Sequence, residues 1–436
     1  MPADGQSAPC RRAAVSRPGT IGLSLAPMRS ARRAECRCAS RNGARPSHLF
    51  PCPKQGAMLQ GFYHFADDAR ALPELLQAWR AGHPDLGLLA LLPEAEAAHI
   101  PALQAACRAA GIALVGAVFP ALLGDAGFAD RGIWLVRLDP MPPAFLVTDL
   151  DHDPGAAAAG VAAAVSALTA GRDADADPAM LFMLFDGMLP TVGSILNGVY
   201  NHLGSRVHYA GVNAGSETFQ PMPCLFDSDR CVGNAVLGLL LPAATAYVVG
   251  HGYPVARSLM NATSAQGNRI DRIDGRPAFD VYRDVMRSEF GIELDHANFY
   301  DYAAHFPFGL VTAIDVLVRI PVAFNDDGSL FCVGEVPPNA KLRLLRAPDL
   351  AESRCVESLA GRLRERAGDP AGRSMLVFYC AGRRMHFGAD AGAEIARLRA
   401  FTGVDTVAGA LSLGEIDSLE EFGFPRFHNA ALVCLL

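Results

Sequence analysis

Three stretches of this chain repeat one order of elements: an apolar strand, an amphipathic helix, a glycine-containing strand, a loop and a closing apolar strand. The first runs from "DLGLLALLP" through "AEAAHIPALQAACRAAG" and "IALVGAVFP" to "GIWLVRLD". The second runs from "PAMLFMLFDG" through "TVGSILNGVYNHLG" and "VHYAGVNAGSETF" to "VGNAVLGLLL". The third runs from "SMLVFYCAGRRMHFG" through "AGAEIARLRAFTG" and "TVAGALSLGEID" to "HNAALVCLL". Residues 233 to 241, "GNAVLGLLL", share five of nine identities with residues 428 to 436, "HNAALVCLL". Both units also carry Ala-Gly, five residues and then Glu: Ala210, Gly211 and Glu217 in one, Ala408, Gly409 and Glu415 in the other. The first unit matches only in outline. A repeat of about 60 residues is longer than a solenoid repeat and points to a duplicated α/β unit.

The strands are near-continuous apolar runs, as expected of strands buried on both faces. The expected fold class is therefore α/β: two halves built from repeated strand-helix-strand-strand units, with mixed sheets flanked by helices. A boundary near residue 243 divides the body into residues 58 to 242 and 243 to 436. Between the units, "GRPAFDVYRDVMRSEFG" reads as a helix with Pro277 near its first turn and Gly291 as its stop. "NDDG" between apolar runs is a hairpin signal. The run from Cys231 to Gly250 has twenty residues without a charge, long enough to span a bilayer. Pro242 interrupts it, however, and its first half aligns with a strand of the third unit, so a soluble chain is expected.

Charge is distributed unevenly. Residues 1 to 57 hold ten basic residues against Asp4 and Glu35, a net of +8, whereas residues 58 to 436 hold 28 against 43, a net of −15. So acidic a body repels nucleic acid and anionic lipid, which sets both partners aside. The basic head has no apolar period and reads as a disordered extension, a transit peptide or an upstream extension of the reading frame, with Met58 favoured as the true start. Four of the eleven cysteines, Cys10, Cys36, Cys38 and Cys52, lie in this head. The other seven are scattered without a CxxC pair, which suits buried thiols in a reducing compartment.

No zinc spacing, Walker loop, GxGxxG after a first strand or GxSxG elbow occurs, so no cofactor and no metal are expected. "DADADP" offers Asp173, Asp175 and Asp177 as calcium ligands, but Pro178 stands where the turn needs Gly and Leu184 where a bidentate Glu belongs. "DLDHDPG" fails likewise at Pro154 and Gly160, and both read as solvated turns.

The polar residues at strand ends carry the remaining chemistry. Cys380 ends a strand in "YCAGRR", where Arg383 and Arg384 could lower its pKa, or where it could simply be a core residue. Arg319 is a charge inside the apolar strand "VLVRIPV", either paired structurally or available to a ligand carboxylate. His428 and Asn429 open the last strand; the Asn is kept as Asn234 in the second unit and reads as architectural, whereas His428 is not kept. Glu415 belongs to the repeated pattern, while Gly414 directly before it does not.

Taken in order, "VHYAGVNAGSE", "VGNAVLGLLL", "GNRIDRIDGRPAFDVY", "HFPFGL", "LVFYCAGRRMHFG", "AGALSLGEID" and "FHNAALVCLL" resemble the FIST domain family, with its N-terminal part over 58–242 and its C-terminal part over 243–436. The resemblance implies a cytoplasmic, non-enzymatic sensory module of signal transduction that binds a small metabolite such as an amino acid. With no output segment after Leu436 and no F-box-like segment, the signal is expected to pass to a separate signalling protein, as in stand-alone bacterial-type members. Family members often read His-Asn-x-Thr near the end; here His428, Asn429, Ala430 and Ala431 lack the hydroxyl. The expected ligand contacts are Arg319, Cys380, Arg383, Gly414, Glu415, His428 and Asn429, with guanidinium for a carboxylate and carboxylate for an amine. Two alternatives remain open: a thiol-dependent enzyme with Cys380 as nucleophile and His428 as base, and a protein-interaction scaffold.

Overall fold

The repeat is threefold in space. The computed structural model describes residues 59–63, 71–171, 177–254, 257–313, 315–418 and 423–436, all within one unit, Lys54–Leu436. The basic head, Met58 and the acidic residues Asp173 and Asp175 lie outside the described residues. The first unit comprises β1 (Leu59–Tyr63), α1 (Ala71–Gly82), β2 (Gly87–Pro93), α2 (Ile100–Ala110), β3 (Ala113–Phe119), the hairpin β4 (Leu122–Gly124) and β5 (Gly127–Ala129), and β6 (Ile133–Leu138). The second repeats this order with β7 (Ala144–Thr148), α3 (Pro154–Leu168), β8 (Ala179–Asp186), α4 (Val192–Leu203), β9 (Val207–Ala214), the pair β10 (Leu225–Asp227) and β11 (Cys231–Val232), and β12 (Ala235–Leu241). The third opens with β13 (Tyr247–Gly250) and is then interrupted by an inserted segment.

That insert carries β14 (Met260–Asn261), β15 (Ser264–Gln266), β16 (Arg269–Ile273), β17 (Arg276–Pro277), α5 (Ala278–Phe290) and α6 (Phe299–Ala303). It continues with β18 (Phe308–Val311), β19 (Val316–Arg319), β20 (Pro321–Phe324), β21 (Leu330–Cys332) and β22 (Lys341–Leu344). The third unit then resumes with α7 (Cys355–Ala367), β23 (Ser374–Cys380), α8 (Ala381–Phe387), α9 (Ala391–Thr402), β24 (Thr406–Ser412), the hairpin β25 (Glu415–Ser418) and β26 (Pro425–His428), and β27 (Leu432–Leu435).

In every unit the two long strands are parallel, as helix crossovers require. The closing strand runs antiparallel to the first long strand, and the entry strand pairs with the closing strand's outer edge. The hairpins are exchanged: β4 pairs with β24, β10 with β3 and β25 with β9. Each six-stranded sheet is thus completed by another unit's hairpin, and two of the three sheets draw strands from both sides of residue 243. Phe378 of the third unit meets Phe119 of the first at 5.6 Å and Phe182 of the second at 6.0 Å, where the faces of the three sheets converge in one core.

One glycine marks all three units. A Cβ on Gly409 would lie 1.6 Å from the Val377 carbonyl oxygen of the paired strand, and one on Gly211 would lie 2.1 Å from that of Met183. Gly116 holds the same place in the first unit, 2.5 Å from the Ala90 oxygen and 2.2 Å from the Phe226 ring. Glycine in a strand marks such close backbone approach. The first unit, matched only in outline by sequence, is therefore a full structural copy.

The insert forms two small sheets over a core that includes Phe279, Tyr282, Phe299 and Phe308. Pro277 directly precedes α5, and Gly291 ends it at φ 68°, the left-handed conformation glycine tolerates. Asn325 to Gly328 turn the β20–β21 hairpin. The charge-free run from Cys231 holds β12, and among the described residues no helix is long and apolar enough to cross a membrane. Asp153, in the second acidic turn, caps α3 by accepting the Gly155 N–H at 2.8 Å.

Candidate functional site

In open α/β sheets, ligand crevices form beyond the carboxyl ends of parallel strands. In the third unit those ends are Cys380 on β23 and Ser412 on β24, and most of the polar candidates gather there. Glu415, fully buried, accepts the Ser412 hydroxyl at 2.6 Å and the Ala431 N–H at 3.2 Å. The Ala430 N–H donates to the Cys380 sulfur at 3.1 Å. On the same face of the β25–β26 hairpin, His428 lies opposite Glu415 and Arg426 opposite Asp417. His428 Nε2 and Asp417 are 2.8 Å apart, and Arg426 forks onto Asp417 at 2.9 and 2.7 Å. Burial works against the Asp417 charge, but His428 and Arg426 hold it well below the usual carboxylate range. Asn429 donates to the His428 carbonyl at 2.9 Å.

Arg383 projects from α8 into this cluster and is 1% exposed. It forks onto the buried Glu394 of α9 at 2.8 and 2.5 Å, and its Nη1 donates to the His251 and Ala430 carbonyls at 2.7 and 3.0 Å. Its charge is therefore matched and its donors are engaged within the fold. Arg384 instead lies over the Phe128 ring at 4.7 Å. With neither guanidinium paired to it, the Cys380 thiol is pushed well above its ordinary pKa by burial and then by Glu415, the reverse of what a nucleophilic thiolate needs.

Burial pushes Glu415 up to about 7, against its hydrogen bonds from Ser412 and Ala431. A raised carboxyl pKa contributes stability that is complete below the unfolded value and lost as pH rises through the folded one. For Glu415 that window runs from 4.5 to about 7. His251 acts oppositely: burial and then His428 depress it to about 4, so its contribution is lost as pH falls from 6.5 toward that value. Glu415→Gln, which keeps the neutral shape, is expected to gain about 3 kcal/mol relative to the unsubstituted protein between pH 4.5 and 8. Urea unfolding across that range reads the gain; parallel stability profiles would refute the assignment of the raised pKa to Glu415.

Arg319 stands apart from this self-satisfied cluster. It ends β19, is 4% exposed, and among the described residues donates only to main-chain carbonyls: Nε to Glu335 at 2.9 Å, and Nη1 to Val318 and Phe427 at 3.0 Å each. Among the described residues it forms no ion pair, and burial pulls its pKa down to about 10, which leaves it charged at neutral pH. A buried charge without a counter-ion is costly. This guanidinium, 5.7 Å from the centre of the Phe427 ring, lines a cavity of about 380 Å³ with Leu310, Leu317, Glu335 and the first turn of α4. Gly414 makes room for that ring, since a Cβ there would lie 2.4 Å from the Phe427 Cζ. Gly334, at φ 84°, does the same from the other side, at 2.7 Å. Across the cavity the Glu335 carboxylate accepts the Ser194 N–H at 2.7 Å and the Ser194 hydroxyl at 2.5 Å, capping α4 from the insert.

The structure thus brings Cys380, Arg383, Glu415, His428 and Asn429 into one buried network, places Arg319 in a separate cavity, and joins the two through Gly414 and Phe427. Sequence reasoning missed Glu335, Asp417, Arg426 and Phe427. Asp417 and Arg426 are cross-strand partners, which becomes visible only once the register of the β25–β26 hairpin is known. Glu335 sits in "VGEVPP", whose glycine and prolines signalled a loop but not what the loop would touch.

Fold and cavity together define an α/β module of three units with an inserted domain, whose cavity is lined by a buried guanidinium with no ion pair among the described residues. Two family models match this chain. The FIST N domain matches residues 85–276 and the FIST C domain matches residues 278–418. The chain belongs to the FIST domain family. FIST domains are described as small-ligand sensory domains of signal transduction, and the family is not known as enzymatic. No curated protein matched the chain.

Proposed function

We propose that this protein is a sensory module that binds a small zwitterionic metabolite such as an amino acid in the cavity between α4, β26 and the insert. One observation carries this reading: Arg319 is a buried guanidinium without an ion pair among the described residues, and it lines a cavity of small-metabolite size. A ligand carboxylate supplies the missing counter-charge through a charge-assisted hydrogen bond. Glu335, in the same lining, offers a carboxylate to the ligand's ammonium, and Phe427 forms the apolar floor. Arg383, Glu415, His428, Asn429 and Cys380 hold the hairpin that carries Phe427, and Gly414 admits its ring. The seven cysteines among the described residues are free thiols, which fits action in the cytoplasm, where a separate signalling partner would read the bound state.

A thermal-shift screen of amino acids and related small acids tests the proposal. A ligand at about a hundred times its Kd stabilises by about 2.7 kcal/mol, a readily measured rise in Tm. Arg319→Met is expected to abolish the rise, and Glu335→Gln to weaken it for amines but not for simple carboxylic acids. Retention of the full rise by Arg319→Met removes this cavity as the site.

A further inference from the structure

We infer that the Arg319 cavity selects amino acids with a bulky apolar side chain, of the size of leucine or phenylalanine. The inference rests on the reading of that cavity as the metabolite site and adds what the site prefers. Its first support is how Arg319 is held. Nε donates to the Glu335 carbonyl and Nη1 to those of Val318 and Phe427, while no hydrogen bond among the described residues engages Nη2. Every two-nitrogen fork on a guanidinium draws on Nε or Nη1, so a ligand carboxylate meets Nη2 alone rather than a bidentate pair. One hydrogen bond to a charged group is worth about ten- to a hundredfold in affinity. A Kd of about 1 mM needs about a thousandfold relative to the 1 M standard state. Carboxylate recognition therefore orients the ligand, and the walls of the cavity must supply much of its affinity.

Those walls are apolar. Leu310 and Leu317 lie directly opposite each other on the β18–β19 hairpin, so their side chains stand together on one face. Both line the cavity with Val336, Pro337 and Phe427, and Phe424 adds an exposed ring. The polar side chains of the described lining offer little to a polar ligand side chain. Arg426 forks onto Asp417, Glu335 holds Ser194, and Asn197 is exposed on α4. A polar side chain set against Leu310, Leu317 and Phe427 would lose its water without gaining a partner, which costs affinity. An apolar side chain of leucine or phenylalanine size gains about ten- to a hundredfold by leaving water there.

Isothermal titration of the full chain with leucine, phenylalanine, alanine, glutamine and lysine tests the assignment. Leucine and phenylalanine are expected to bind at least about tenfold tighter than alanine, and glutamine and lysine no tighter than alanine. Leu317→Ala should reduce the preference for leucine over alanine to below about threefold. Where that variant fails to fold, the heat-capacity change of binding to the unsubstituted protein should be more negative for leucine than for alanine, the mark of buried apolar surface. Equal affinities, tighter binding of glutamine or lysine than of leucine, an unchanged leucine preference in Leu317→Ala, or equal heat-capacity changes overturns the specificity. Arg319→Met separates this failure from that of the site itself. A flat ranking that Arg319→Met abolishes leaves the cavity as the site and removes only its selectivity. Unchanged leucine binding by Arg319→Met, or no binding of any of the five, removes both.

Discussion

Gly409→Ala is expected to prevent the protein from folding, or to destabilise it by at least about 4 kcal/mol, at the far end of what single substitutions do. The reason is steric and cannot be relieved locally. The new Cβ would lie 1.6 Å from the Val377 oxygen, 2.7 Å from its carbonyl carbon and 3.1 Å from its nitrogen. All three are backbone atoms in the middle of a seven-residue parallel register between β23 and β24. Moving that backbone disturbs the β27 ladder on one side and the exchanged β4 on the other. Gly211→Ala should behave similarly, because its clash is with Met183 backbone, whereas part of the Gly116 clash is with the Phe226 ring, which can turn. Gly392→Ala is the control. It sits in α9 with nothing within 4 Å of the added methyl, and should be neutral or stabilising by up to about 1 kcal/mol. Soluble yield and urea unfolding distinguish these outcomes, and a Gly409→Ala protein with unchanged Tm would show that the three glycines are incidental.

Arg383→Met is expected to cost about 3–5 kcal/mol, because it leaves Glu394 as a buried carboxylate without its partner. Glu394 is fully buried, and Tyr379, its other hydrogen-bond donor at 2.8 Å, is neutral and cannot replace a cation. Arg383→Met with Glu394→Leu should recover most of that loss, since an apolar pair of similar volume removes both desolvation penalties at once. A double-mutant cycle by urea unfolding reads the coupling. Equal and additive losses in the two single variants would mean that the pair contributes nothing as a pair. The same experiment separates the two guanidiniums proposed for ligand contact from the sequence. Arg383 already has its carboxylate, so its loss should appear in stability and not in ligand affinity, whereas loss of Arg319 should appear in affinity.

Sequence and structure agree closely where the physics is local. The limits of α5 follow from Pro277 and Gly291, the hairpin at Asn325 to Gly328 follows from its turn residues, and the buried parallel strands follow from their unbroken apolar runs. The repeat was legible in the second and third units because they share identities. The first unit lacks them, and only the position of Gly116 against Ala90 shows that it obeys the same backbone constraint. For the candidate site, residue type picked out side chains that the structure largely brings together, but could not rank them. Arg319 and Arg383 are alike as buried arginines near strand ends. What separates them is Glu394, eleven residues beyond Arg383 on the next helix, and Glu335, whose carboxylate faces α4 while its carbonyl faces Arg319.

The sequence by itself determined the α/β class, the repeated unit, the family and the short list of polar residues, because periodicity, turn chemistry and identity between repeats are properties of neighbouring positions along the chain. The tertiary structure alone decided that the hairpins are exchanged around a ring of three sheets, that the insert closes a cavity against α4 and β26, and that one buried arginine has an ion-pair partner while another has none among the described residues. Those facts depend on which distant groups are brought within hydrogen-bonding distance, and a charge is architectural or available according to the partner that packing delivers to it.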